Sequence, residues 1–315
     1  MRTTRSEHSR GVTLVELLVV IFIISLLTVI TISSVVAVRE ASRRVYCANN
    51  LRQLATACSS YMAGNGDALP PGYNYGGYSY LVTILPHLEQ DNLYHSLNFS
   101  RGNAFFIAKP NNTLIRTRIS AFVCPSESSS APPESWTNYA GNRGVRFQVV
   151  EKYNGPMGGI ASQPLRSRSI TDGLSSTVMI SEWMIGTRAN AARDRVRTVF
   201  ETKDYSPKEQ YDQFAAACTG IDVEKAALSV QRKGFQWVHG EYGRSLYNHD
   251  VILNGPTCVN GKLVQQGAWT ASSSHGKGAN VCFADSHVSF VRSSINLSIW
   301  RAIGSMNGGE IVEVP

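Results

Sequence analysis

Several features that usually identify an enzyme are missing from this chain of 315 residues. It contains no Gly-x-Ser-x-Gly, no His-Glu-x-x-His and no Gly-rich loop ending in Lys-Ser or Lys-Thr. None of the six cysteines belongs to a Cys-x-x-Cys pair, which argues against a structural zinc site. Charged residues make up only 17 %, and the densest basic stretch, 188–197, contains Asp194. We therefore expect neither an enzyme nor a nucleic-acid partner.

Charge is almost absent from residues 12–38, where Glu16 is the only ionisable side chain. As a helix, this run would be about 40 Å long, against about 30 Å of bilayer hydrocarbon. A secretory signal would have a shorter apolar core, of roughly 7–15 residues, and a small-residue cleavage site after it. We therefore predict that residues 12–38 form a transmembrane helix that is retained in the mature protein.

A short basic leader ending in Gly11 precedes this run, and Glu16 lies five residues beyond that glycine. A carboxylate within a membrane costs roughly 2.5–3.5 kcal/mol, so we expect it to have a partner. The order Gly, Thr-Leu, Glu and then an apolar run resembles the type IV prepilin signal. The resemblance implies that a prepilin peptidase cleaves between Gly11 and Val12 and methylates the new amine. Glu16 would then neutralise this amine in its own chain or in a neighbouring subunit, and both options stay open.

Arginine counts do not orient the segment, because three arginines precede it and three follow it. The prepilin resemblance supplies the orientation. It implies a single-pass protein of the bacterial inner membrane, with the leader (residues 1–11) in the cytoplasm. The globular part would then be periplasmic or extracellular.

Beyond the membrane segment the helix is predicted to continue as an amphipathic element over 39–64. Apolar or small residues recur every three or four positions from Val38 to Met62, and Gly64-Asn65-Gly66 supplies residues typical of a helix end. The predicted fold is α+β and type IV pilin-like. A long N-terminal helix packs on a mainly antiparallel, β-rich globular domain over 65–315, with an insertion near 188–235.

The cysteines follow the membrane segment, so in this orientation they face an oxidising compartment. Cys47 and Cys58 would be about 16 Å apart along one helix, too far to bond each other. Cys124 is a candidate partner for one of them. Cys218 and Cys258 are the second candidate pair.

Strand patterns are clearest near the C-terminus. Residues 280–284 and 287–291 flank Asp285-Ser286, which predicts a hairpin. Its period-two apolar face consists of Val281, Phe283, Val288 and Phe290. A strand is also predicted over residues 119–123.

Combined, these segments resemble a bacterial pseudopilin-like family of unknown function. Its members join a prepilin-type N-terminus to a C-terminal motif of His, nine residues and Asp-Gly, which His275 and Asp285 match. Ser286 departs from the motif, and since Ser adopts positive φ less readily than Gly, it disfavours the type I′ turn that Asp-Gly would form. The resemblance implies an export-associated protein and no established activity. The other matching stretches are 47–54, 85–90, 122–126, 138–142, 170–175 and 247–249.

Four residues could form a site: Asp172, Glu182, His275 and Asp285. Carboxylates and an imidazole could together bind a divalent cation such as calcium. A structural reading is favoured, because Asp172-Gly173 and Asp285 are natural turn formers and His275 precedes a Gly-Lys-Gly loop. No other cofactor is expected.

The leading functional hypothesis is a membrane-anchored structural subunit of a pseudopilus or of a type II secretion or type IV pilus-like assembly. Its expected partners are a prepilin peptidase, the inner membrane, and other pilin-like subunits or further copies of itself. The alternative is a membrane-tethered extracytoplasmic binding module, for polysaccharide or a divalent metal, that uses the same export signal.

Overall fold

The structure of this chain is a computed structural model. The chain divides into two compact units, Met1–Arg43 and Arg44–Pro315, which are described separately. The second unit is called the body below. The residues that the structure describes are 13–99, 111, 113–128, 135–146, 153–187, 192–206 and 209–310.

One long helix, α1, comprises Leu14–Gly64 and has 51 residues, which confirms the predicted long N-terminal helix. It ends at the expected glycine. The N–H of Asp67 donates to the Met62 carbonyl at 2.9 Å, and Gly66 between them has φ of 59°. This hydrogen bond belongs to a Schellman-type C-cap, and it gives the Met62 carbonyl, near the end of the helix, a partner outside the helix.

Within the described residues, no helix combines the length and the apolarity that a membrane crossing requires. The transmembrane helix predicted over 12–38 is therefore not confirmed by the structure.

The buried face of α1 begins later than the sequence predicted. The apolar stripe was expected to start at Val38, yet Val38 is 67 % exposed and Val45 is 58 % exposed. Within the body, the buried positions of α1 recur at spacings of three and four residues. The fully buried positions are Cys47, Leu51, Leu54, Ala55 and Cys58.

The other α-helices among the described residues are short. The last of them is capped by Asn296, whose side chain accepts from the N–H of Ser298 at 2.8 Å. These helices are α2 (Tyr80–Thr83), α3 (Asp91–Ser96), α4 (Tyr211–Thr219) and α5 (Leu297–Ala302).

Two mixed sheets contain the described strands, and five of the seven strand pairings are antiparallel. The larger sheet has the order β5-β1-β2-β8-β9 and the smaller has the order β4-β3-β6-β7. The strands are β1 (Tyr139–Asn142), β2 (Val178–Glu182), β3 (Val199–Glu201), β4 (Ala227–Leu228), β5 (Leu246–Tyr247), β6 (Thr257–Asn260), β7 (Leu263–Ala268), β8 (Gly278–Phe283) and β9 (Val288–Arg292).

The predicted C-terminal hairpin is formed by β8 and β9. Its turn is one residue longer than the two-residue form, because the N–H of Phe283 donates to the His287 carbonyl at 2.9 Å. Ser286 has φ of 75° and thus takes the left-handed conformation at the position where the family motif has Gly. The turn is therefore not the two-residue type I′ turn that Asp-Gly would favour. It still needs a residue with positive φ at this position, and Ser286 supplies it.

The smaller sheet joins the segment predicted as an insertion to the rest of the body. Strands β3 and β4 and helix α4 fall within 188–235, whereas β6 and β7 follow it. Strands β3 and β6 pair in parallel, a long-range connection that local sequence patterns do not reveal.

The strand predicted over 119–123 was wrong. The segment forms a 3-10 turn at Ser120–Phe122, with the N–H of Val123 donating to the Ser120 carbonyl at 3.2 Å. Its apolar residues contribute to the core from this turn, and Phe122 is fully buried.

Candidate functional site

The processing signal lies at the start of the chain, and Gly11 and Val12 fall outside the described residues. Directly after them, Thr13 and Glu16 form a reciprocal capping box on α1. The N–H of Thr13 donates to Glu16 Oε2 at 2.8 Å, and the N–H of Glu16 donates to Thr13 Oγ1 at 3.3 Å. Glu16 therefore already has a structural role within its own chain.

The first turns of α1 expose their apolar side chains. Leu14 is 78 % exposed, Val15 69 % and Phe22 64 %. Such a continuous apolar surface is characteristic of a segment that binds lipid or another protein.

Two disulfides occur among the described cysteines, Cys47–Cys124 and Cys218–Cys258. Both pairs were candidates from the sequence, which left open whether Cys47 or Cys58 bonds Cys124. Cys58 and Cys282 are buried free thiols, and burial raises the pKa of the Cys58 thiol to about 12.

Two of the four residues considered as metal ligands, His275 and Glu182, lie beside the Cys47–Cys124 disulfide. His275 Nε2 is 3.8 Å from Cys124 Sγ and 3.7 Å from Glu182 Oε1. The side chains of His275 and Glu182 are only 1 % and 2 % exposed. A sulfur pair, an imidazole and a carboxylate therefore converge in the interior of the body.

Neighbouring groups hold the carboxylate and the disulfide in place. Asn280 donates twice to Glu182, from its backbone N–H to Oε2 at 3.0 Å and from Nδ2 to Oε1 at 2.8 Å. The Asn138 side chain accepts from the N–H of Cys124 at 3.0 Å, and the Tyr139 hydroxyl donates to the Cys47 carbonyl at 3.3 Å. Asn138 and Tyr139 belong to residues 138–142, one of the stretches that carry the family resemblance. Their contacts hold the two cysteines of the disulfide in position.

Asp172 and Asp285 do not belong to this cluster, because both carboxylates accept hydrogen bonds from backbone N–H groups elsewhere. Asp172 accepts from the N–H groups of Gly308 and Gly309 at 2.7 and 3.0 Å. Asp285 Oδ1 lies 2.6 Å from His287 Nδ1, beside the hairpin turn. The four-residue set expected from the sequence is thus divided among three places.

A buried network of charged side chains in the body was not predicted from the sequence. Arg197 and Glu127 pair at 2.6 Å with side chains 8 % and 5 % exposed. Lys233 is fully buried and donates to the Val196 carbonyl at 2.9 Å and to Ser272 Oγ at 3.1 Å. Burial, followed by the charge of Arg197, lowers the pKa of Lys233 to about 7. These residues are scattered along the chain, so no spacing revealed them.

A surface groove of about 670 Å³ lies alongside α1 within the body. Its lining is mostly polar. The lining residues are Asn49, Arg52, Gln53, Thr56 and residues 87–90 and 119–121.

Comparison with known families gives two matches. Residues 36–298 match the family described as "Protein of unknown function (DUF1559)", and residues 8–38 match the prokaryotic N-terminal methylation motif. Because the first match covers most of the chain, the protein belongs to that family. This confirms the resemblance that the N-terminal signal and the dispersed motifs indicated. No curated protein and no solved structure matches the chain.

Proposed function

We propose that this protein is a membrane-anchored structural subunit of a pilus-like assembly, of the pseudopilus, type II secretion or type IV pilus class. In this proposal a prepilin peptidase removes the leader and methylates Val12. The observation that carries it is the methylation motif over residues 8–38, which lies at the start of the 51-residue helix α1.

The exposed side chains of α1 support a role in anchoring and assembly. Leu17, Ile21 and Ile24 are 59 %, 57 % and 57 % exposed, so their apolar area is free to pack against lipid or other subunits. Residues 12–38 carry one ionisable side chain, Glu16, which is compatible with residence in a bilayer.

Cleavage would change the surroundings of Glu16. The new amine of Val12 would lie four residues before it, close enough on a helix for an ion pair. The carboxylate would then bind Thr13, its own amine, or the amine of an incoming subunit. In the last case the subunits would associate in a defined axial register.

Substitution of Gly11 tests the processing step. Co-expressed with a prepilin peptidase, the wild-type chain should lose eleven residues and carry a methyl group on Val12. The Gly11→Ala chain should keep its leader, because the added methyl group obstructs the cleavage position. Mass spectrometry of the intact chain and of its N-terminal peptide measures both results.

The matched control is Gly64→Ala, which adds the same methyl group at the end of α1, where a Cβ atom meets nothing within 4 Å. This variant should be processed as the wild type is. Processing of Gly11→Ala at the wild-type rate would refute the proposed maturation.

A further inference from the structure

We propose that Cys47, Cys124, Glu182 and His275 form a binding site for a tetrahedral divalent cation of the zinc class, available when the Cys47–Cys124 disulfide is reduced. One ligand atom from each residue lies within 4.8 Å of all the others. The body alone contains the four residues, so this site is independent of the proposed assembly function.

The spacing of the donor atoms fits a tetrahedral metal. Zinc bonds of about 2.0–2.3 Å at tetrahedral angles place neighbouring ligand atoms about 3.3–3.8 Å apart. The distances from His275 Nε2 to Cys124 Sγ and to Glu182 Oε1 are 3.8 and 3.7 Å. These donors are thus already arranged around a point that a cation could occupy.

The donor set selects the class of cation. Two thiolates and an imidazole favour zinc, whereas calcium prefers a shell made of oxygens. This donor set suits a softer metal than calcium, the example of a divalent cation considered from the sequence. Asn280 fixes both carboxylate oxygens of Glu182 and would orient this ligand from behind.

Reduction is what creates two of the four ligands. A dithiol reductant gives two electrons and two protons to the Cys47–Cys124 bond and becomes a disulfide itself, while the S–S bond breaks into two thiols. Binding of the cation then releases the two thiol protons, leaving two thiolates on the metal. In the oxidised chain the two sulfurs are bonded to each other, and the site is closed.

The second disulfide, Cys218–Cys258, joins helix α4 to strand β6 and provides an internal comparison. Cys218 and Cys258 lie in an apolar cluster with Phe200, Phe214 and Val251. Among the described residues, the set around Cys47 is the one group of His, Cys, Asp and Glu with metal-binding geometry. Reduction should therefore create one zinc site, although it frees two pairs of thiols.

The test uses the full chain in mild detergent, both oxidised and after reduction by a trialkylphosphine, followed by incubation with Zn²⁺ and removal of unbound metal. Atomic emission should detect about one zinc per reduced chain and none per oxidised chain. Alkylation followed by peptide mass spectrometry then identifies the ligands. Zinc should lower the alkylation of Cys47 and Cys124 relative to the reduced, zinc-free chain and leave that of Cys218 and Cys258 unchanged.

Two variants make the assignment specific. His275→Ala should weaken zinc binding at least tenfold, whereas His287→Ala, on the partly exposed hairpin turn, should not change it. Circular dichroism of the oxidised variants verifies that they fold. The proposal fails if the reduced wild type binds no zinc, including through loss of its fold. It also fails if zinc protects both cysteine pairs equally, or if His275→Ala binds as tightly as the wild type.

Discussion

The start of α1 and the body distribute their side chains in opposite ways. Residues 14–24 expose apolar side chains to at least 48 %. The body instead buries groups that are usually solvated, among them Lys233, His249 and Asp250, each fully inaccessible. The first arrangement leaves apolar surface for contacts outside the chain, and the second requires partners within it.

His249 shows how the body holds a buried polar side chain. His249 lies 2.7 Å from the Trp300 carbonyl through Nδ1 and 2.8 Å from the Tyr247 hydroxyl through Nε2. Burial lowers the pKa of His249 to about 3, so its imidazole is neutral at physiological pH. The stability of the body should therefore be sensitive to the loss of internal partners, whereas the start of α1 should tolerate substitution.

The largest expected effect comes from breaking the buried ion pair. Arg197→Met leaves the Glu127 carboxylate without its cation and should lower the free energy of unfolding by about 3–5 kcal/mol. Urea unfolding followed by tryptophan fluorescence measures this change, because all five tryptophans lie between residues 136 and 300.

The exposed pair Asp222–Lys225 is the control, with side chains 54 % and 86 % exposed. Lys225→Met should cost less than about 1 kcal/mol. Equal costs for the two substitutions would contradict the importance of the buried network.

Two leucines of the same helix test the comparison directly. Leu54 is fully buried, and Leu54→Ala should destabilise the body by about 2–5 kcal/mol through lost burial and a residual cavity. Leu18 is 56 % exposed, and Leu18→Ala should leave the urea midpoint of the body unchanged. A similar loss from both substitutions would mean that Leu18 also supports the body.

The smallest expected effect is a pH dependence caused by Lys233. Its folded-state pKa of about 7 lies below the unfolded value, so the unfolded chain binds more protons between pH 7 and 10. Stability should therefore rise from pH 7 to pH 9, by on the order of 1 kcal/mol per pH unit. Below pH 7 this contribution is lost, because the folded state must bury the charged ammonium.

Lys233→Met should remove this slope, as measured by urea unfolding at several pH values. Lys225→Met changes an exposed lysine and should keep the wild-type slope. A wild-type slope retained in Lys233→Met would show that another group titrates in this range.

The sequence predicted the elements whose determinants are local. The end of α1 at Gly64 and the β8–β9 hairpin follow from nearby glycine, turn and alternation signals. The strand predicted over 119–123 was wrong because a short apolar run is compatible with a buried turn as well as with a strand.

The candidate site was only partly predictable, because it is assembled from segments that are far apart in sequence. Glu182 and His275 were considered as site residues because of their side-chain chemistry, and in the structure they lie 3.7 Å apart. Their meeting with Cys47 and Cys124 depends on contacts between segments far apart in sequence. The pairing of Arg197 with Glu127 also joins distant segments, so no local pattern predicted it.

The turn at Ser286 has a consequence for the order in which the molecule is completed. Its hydroxyl lies 2.9 Å from that of Ser59 on α1, across 227 residues of sequence. During synthesis, the C-terminal half of α1 emerges long before the hairpin that contacts it. The helix made first is thus among the last to be covered, and until then its apolar face at Leu51 and Leu54 has to be kept from aggregating.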